Sequence, residues 1–486
     1  MKSEIQNVVV RHLRGVVIAM VLLVASCGGG TGASPSGPSV GGINGGGFAR
    51  GAITGFGSIF VDGIEFSTSG ASIRIEGSTA TESQLEVGQV VLVQGTISDD
   101  GRSGTARTVS FDDNVEGPIQ SVDVQANTFV VLGQTVRVTG TTVFDGGVSP
   151  ANITGLTAGV SVEVSGFADS AGVIVATRVE GKAAAGELEV SGALSGLDTV
   201  ARRFTINALT IDYATATVSG GTLANGACVE VKSNAPTGNT FVATRVEVKP
   251  CGLLAAANDR GQIEGIITRF VSATDFDVNG QRVTTTASTT YVNGMASASA
   301  SDLRLDLKVE VEGTFNAAGT LQAGKVEIKP ESRSRLLGTV DALNAGANTL
   351  SMYGIDVAIN ASTLMEDKSS ARISPLRFPD LRTGDYLEVR GFKGAAANSI
   401  VAVLVERGDL DTRRELQGRV TAVARPNLTI LEVSITTRDG TQFRNVDDSP
   451  MTADEFFAAI GDQFVKVRGT WNGAAFAADE AQLETP

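Results

Sequence analysis

The sequence predicts an all-β protein: about six small tandem domains behind an export signal and a flexible linker. Three observations predict it. A wording of Val, Glu and Gly returns six times, the residues inside each copy alternate with strand period, and glycine is unusually abundant. Glycine makes up 58 of 486 residues, about 12% against an ordinary value of roughly 7%. Such glycine use suits many short strands joined by tight turns.

The first element is the N-terminus. Lys2, Arg11 and Arg14 precede an apolar run at 16–24 that is too short to span a bilayer as a mature helix. A basic region followed by a short apolar run has the form of a secretory signal. The run ends in LVASC (23–27), where small residues at 25 and 26 fit a signal-peptidase site and the Cys27 thiol can carry a diacylglycerol. This resembles the bacterial lipobox; an ordinary signal with a chance cysteine, or an uncleaved anchor, is the alternative. A Gly/Ser/Pro tract follows, read as a flexible tether. Position 28 is Gly, not Asp, which by resemblance to lipoprotein sorting favours the outer membrane, facing the periplasm or the outside.

The repeats come next. One wording opens and closes on glycine: GQVVLVQG (88–95), GVSVEVSG (159–166) and GDYLEVRG (384–391). GACVEVKS (226–233) loses the last glycine, DLKVEVEG (306–313) loses the first, and GDQFVKVRG (461–469) gains a residue. A second wording follows each after a turn, as VATRVE at 175–180 and again at 242–247. A third opens each unit: GAIT at 51, GPIQ at 117, GIIT at 265, GTVD at 338 and GRVT at 418, with the third repeat opening near Gly192. The expected domains are a signal over 1–26, a tether over 27–50, and β repeats over 51–116, 117–185, 186–252, 262–332, 336–408 and 416–486.

Repeat 2 reads as five strands: 119–124, 128–132, 134–139, 161–165 and 173–179. Val160, Val162 and Val164 alternate with Ser161 and Glu163, a period of two that implies one buried and one wet face. Five strands with a gap between the third and fourth fit a small closed barrel of the OB type. In repeat 6 that gap holds Thr452 to Glu455, a capping box opening a short helix at 456–460. Propeller blades are shorter than these units and immunoglobulin-like sandwiches longer; another barrel or sandwich arrangement is the alternative. The charged stretch 407–417 reads as a linker between repeats 5 and 6.

These units resemble the tandem β-rich repeats of the bacterial family known as domain of unknown function 5666, with its V-E-V-x-G and A-x-x-V-E wording. The resemblance covers about 51–485. A family without an assigned activity brings no catalytic residues to carry over.

Composition narrows function further. The only histidine is His12, inside the expected signal, so a mature chain would lack the usual general base and a common metal ligand. The net charge is −14; residues 1–26 contribute +2, leaving −16 beyond them. Acidity with few aromatics argues against nucleic acid. Glu163, Glu230, Glu310 and Glu388 recur on one strand and read as a solvated face paired with Arg178, Arg245 or Lys325. The acidic clusters Asp99-Asp100-Gly101 and Asp112-Asp113 could suggest calcium. No stretch has the alternating Asp/Asn spacing of a calcium loop, and Asp-Gly reads first as a hairpin turn; no metal or cofactor is expected, with calcium as the alternative. Cys228 and Cys251 are read as a structural disulfide, with two free thiols as the alternative.

The resulting expectation is a lipid-anchored, non-enzymatic envelope protein that binds or spaces an unknown protein or polysaccharide partner. The alternative is a carboxylate-dependent envelope hydrolase. Its structural condition is two acids facing each other in a pocket at a junction between repeats.

Overall fold

The computed structural model describes residues 46–56, 58–98, 101–182, 187–233, 240–293, 296–329, 334–360, 363–394, 396–446, 448–461 and 463–484. Cys27 and the signal lie outside the described residues.

Each repeat closes on itself as a five-stranded barrel. In repeat 2 the strands are Val115–Asp123, Thr128–Val131, Gln134–Arg137, Ser161–Ala168 and Ile174–Lys182. The first pairs antiparallel with the second, and the second with the third. The third runs parallel to the fifth, the fifth pairs antiparallel with the fourth, and the fourth returns to the first. That circuit is the OB-like arrangement. The parallel third–fifth pair needs a crossover between strands three and four. Short 3-10 turns occupy it at Glu82–Gln84, Ile153–Gly155, Ala300–Asp302 and Phe378–Asp380. In repeat 6 the turn has grown into the helix Ala453–Ala459, with Thr452 and Glu455 making the reciprocal cap.

The repeated glycines have separate physical reasons. Gly95, Gly166, Gly313, Gly391 and Gly469 sit at bulges where strand four slips register against strand five. A Cβ at any of them would lie 1.9–2.3 Å from a carbonyl oxygen of the facing strand. Repeat 3 carries Ser233 there, and its fifth strand is split into Thr240–Val242 and Arg245–Lys249. The opening glycines serve a turn instead: Gly88, Gly159, Gly226 and Gly384 have φ of 86–90°, and Asp306 takes their place at φ 62°.

The barrels join through their first strands. Repeats 2 and 3 pair antiparallel, with Val115 opposite Val190 and Glu116 opposite Glu189. Repeats 5 and 6 do likewise, with Leu336 opposite Leu416. Repeats 1 and 4 pair in parallel, Gly47–Arg50 alongside Arg260–Ile263. Each seam covers a strand edge that a lone barrel would leave open. The described residues form one compact unit. A small apolar cluster of Val87, Val143, Leu364 and Leu404 ties repeats 1, 2 and 5 together. Arg178 reinforces it, donating to the Val87 carbonyl at 3.1 Å and to Asp145 at 3.2 Å.

Three sequence expectations change. The tether at 27–50 runs too far, because Gly47–Arg50 already belong to the first strand, which ends at Gly55. The linker at 407–417 shrinks to residues 409–414, because strands Ser399–Gly408 and Glu415–Ala424 take its ends. The face carrying Glu163, Glu230 and Glu310 is not solvated: these residues are 8%, 3% and 4% exposed. Neighbouring barrels cover it. Of the expected partners only Arg245 reaches its glutamate, Glu230, at 3.1 Å. Glu163 pairs with Lys182, Glu310 with Lys329, and Glu388 with Arg335 and Arg390.

Candidate functional site

The outward faces of repeats 1, 2, 4 and 5 leave a cavity of about 580 Å³ between them. That lies within the usual size range of small-molecule sites. Phe167, Leu364 and Phe392 supply apolar wall; Glu264 and Lys308 supply charge, and Asp62 a carboxyl group.

Asp62 stands at the turn between strands two and three of repeat 1. The matching positions are Leu132, Asn207, Asn279, Tyr353 and Leu431, all at positive φ like Asp62 itself. In repeats 2 and 6 a leucine folds over the opening glycine there, and in repeat 5 Tyr353 does so through its hydroxyl. In repeat 1 a carboxylate does so: a Cβ on Gly51 would lie 2.2 Å from Asp62 Oδ1. Asp62 is 4% exposed, and as a carboxylate neither of its oxygens receives a hydrogen bond. Burial, then the charges of Glu264 and Glu310, push its pKa well above the ordinary carboxyl value, and the retained proton bonds Glu264.

Glu264 is held the other way. Burial alone would raise it, but Lys308, the Asp62 proton and Lys329 together lower it to about 2. The pair is therefore one neutral acid beside one anion. Gln262 Nε2 donates to the Asp62 carbonyl at 2.6 Å and to Glu310 at 2.9 Å, bridging the seam of repeats 1 and 4. Lys308 contacts Glu264 and lies 5.2 Å from the centre of the Phe167 ring, which joins repeat 4 to repeat 2. Asn279 donates to the Ala168 carbonyl at 2.8 Å, and Ser170 N donates to Asp306 at 2.9 Å. These contacts fix the walls and leave Asp62 as the polar group without a committed donor.

The family described as "Domain of unknown function (DUF5666)" matches residues 50–110, 116–180, 191–247, 264–327, 338–406 and 417–480. The chain belongs to this family. No curated protein matches it. Among solved structures, one similar chain is "drosophila Unr CSD456", 14% identical, covering 47% of this chain and 100% of that one at a TM-score of 0.11. A value that low establishes no shared arrangement.

The DUF5666 wording locates barrels, not the cavity. Cys228 and Cys251 are bonded in repeat 3 with Cα atoms 5.3 Å apart, and neither lines the cavity. Asp62 escaped the sequence reading because no other repeat carries an acid at its turn, and Glu264 because its position, just before the opening glycine, is acidic elsewhere only at Glu116. One signal was available: Asp62 precedes Gly63 at a turn where the other DUF5666 repeats carry Leu, Asn or Tyr and never an acid.

Proposed function

We propose that this DUF5666 protein is a lipid-anchored, non-enzymatic binding protein of the bacterial envelope. The four-repeat cavity is its receptor for part of an envelope protein or polysaccharide. The cavity itself carries the reading: about 580 Å³, walled by four repeats, with one buried carboxyl lacking a donor. Asp62, its proton held by Glu264, presents oxygens free to accept a hydrogen bond, Lys308 presents a cation, and Phe167 and Phe392 present an apolar floor. The packed barrels favour binding over spacing, since a spacer gains reach from separated domains. The anchor rests on LVASC at 23–27 and the glycine-rich segment after it. The charge of −14 supports no role with nucleic acid.

Carboxylate-dependent hydrolysis is the second reading, because Asp62 and Glu264 meet its structural condition. Their closeness weighs against it. Glycosidases hold their carboxyl groups roughly 5–9.5 Å apart, whereas these share a proton and Glu264 is tied to Lys308.

The test uses residues 28–486 immobilised and challenged with envelope polysaccharide and protein fractions. Thr141 lines the cavity and is half-buried, so Thr141→Trp fills it. A component retained by the parent chain and released by Thr141→Trp at unchanged melting temperature is expected. Equal retention by both, or none by either, defeats the reading. The anchor is tested separately: Cys27→Ser should abolish lipid labelling and membrane retention.

A further inference from the structure

The seam between repeats 2 and 3 carries an unusual row of charge. Glu163, Glu116 and Glu189 lie directly opposite one another across three adjacent strands. Like charges so placed repel. Repeat 1 adds Glu76, and the connection between repeats 1 and 2 adds Asp113. Carboxylate oxygens of Glu76, Asp113 and Glu189 lie within 4.8 Å of one another, as do those of Asp113, Glu116 and Glu163. Asp113 is common to both groups. It is 3% exposed and neither of its oxygens receives a hydrogen bond; Glu189 Oε1 is equally orphaned.

The seam between repeats 5 and 6 shows what is missing. Aligned on the opening glycines, Glu388 and Glu415 correspond to Glu163 and Glu189. There Arg335 stands between the two acids, 2.9 Å from Glu388 and 2.5 Å from Glu415. The outer cation is common to both seams: Arg468 holds Glu415 at 2.9 Å, and Lys232 holds Glu189 at 2.5 Å. The central cation is not. Asn114 occupies the place of Arg335, and its side chain accepts from Gly166 N at 2.7 Å. Five carboxylates (Glu76, Asp113, Glu116, Glu163 and Glu189) then gather around Lys182 and Lys232, and each of these lysines also contacts a further acid, Glu180 or Glu230.

We propose that the seam of repeats 2 and 3 binds a divalent cation of the calcium type, coordinated by Asp113, Glu76 and Glu189. The donors are all carboxylate oxygens, the set that hard cations take. Glu116 and Glu163 lie within reach of the same Asp113. The cation takes the part that Arg335 plays in the other seam, and it closes repeat 1 onto the pair. Without it, burial and then the charges of Glu189 and Glu76 drive the Asp113 carboxyl far up, and burial with Glu76 pushes Glu189 to about 10.

The test titrates the whole exported chain, residues 28–486, with Tb³⁺ as a luminescent probe and Ca²⁺ as competitor. One strongly held Tb³⁺ per chain, displaced by Ca²⁺, is expected, with a higher melting temperature in Ca²⁺ than in chelator. Asp113→Asn should weaken this binding about tenfold or more and remove the melting shift. Should Asp113→Asn fail to fold, Glu76→Gln on its partly exposed turn replaces it. Absence of Tb³⁺ or Ca²⁺ binding by the parent chain overturns the proposal, and so does undiminished binding by the folded variant.

Discussion

At the scale of single residues, burial rather than motif decides chemistry. Asp62 keeps a proton in the folded chain that the unfolded chain releases at its ordinary value of 3.8. Folding stability therefore falls as pH rises above that value. Glu264 contributes in the opposite sense. Its stabilisation is present above the ordinary value of 4.5 and is lost as pH falls toward about 2. Asp62→Asn keeps the shape and removes the ionisation. At about pH 8 it is expected to melt a few degrees above the parent chain, with the acid limb below pH 4 unchanged. A lower melting temperature at pH 8, measured by calorimetry, would show that the anion itself stabilises the seam. The sequence exposed neither residue, because acidity gains meaning only when another barrel, some 200 residues away, covers it. Glu163 and Glu310 were misread for the same reason: the strand period marks two faces, but not whether a neighbour dries the outer one.

At the scale of elements, far more was legible. Two of the three alternating valines place strand four: Val162 and Val164 are fully buried, whereas Val160 precedes the strand and is 47% exposed. The capping box at Thr452 places the one helix among the described residues. The recurring glycines mark where the backbone bends or crowds, and the two kinds respond differently to substitution. Gly391→Ala puts a Cβ 2.2 Å from the Val401 carbonyl oxygen, so strand four must move off strand five. A cost of about 1–3 kcal/mol in denaturant unfolding is expected. Gly159 has open space around it and φ 89°, so Gly159→Ala pays only for backbone conformation, about 1 kcal/mol. Equal costs at the two sites would refute this division. The element boundaries at 47–50 and 409–414 were less legible, because small or charged residues join a strand only when a partner edge is offered.

At the scale of the whole molecule, repeat count was readable and pairing was not. Nothing in the wording distinguishes the antiparallel seams 2–3 and 5–6 from the parallel seam 1–4, since all three use the same first strand. The apolar cluster shared by repeats 1, 2 and 5 couples the pairs. Leu404 is fully buried in it. Leu404→Ala is expected to cost about 2–5 kcal/mol and to act on the assembly as a whole. A single shifted unfolding transition checks this; a second, separate transition would mean that the pairs melt independently.

The parallel seam also dictates an order of construction. Strand Gly47–Gly55 pairs with strands of its own repeat at once, but its other edge finds its seam partner only when Arg260–Ile263 has been made, with Arg50 opposite Ile263. Two complete barrels, repeats 2 and 3, serve as the crossover of that one strand pair. A chain synthesised from its N-terminus therefore closes its first barrel early but carries an open seam edge until repeat 4 is begun. That interval is when the nascent protein is most exposed to pairing with a second copy of itself.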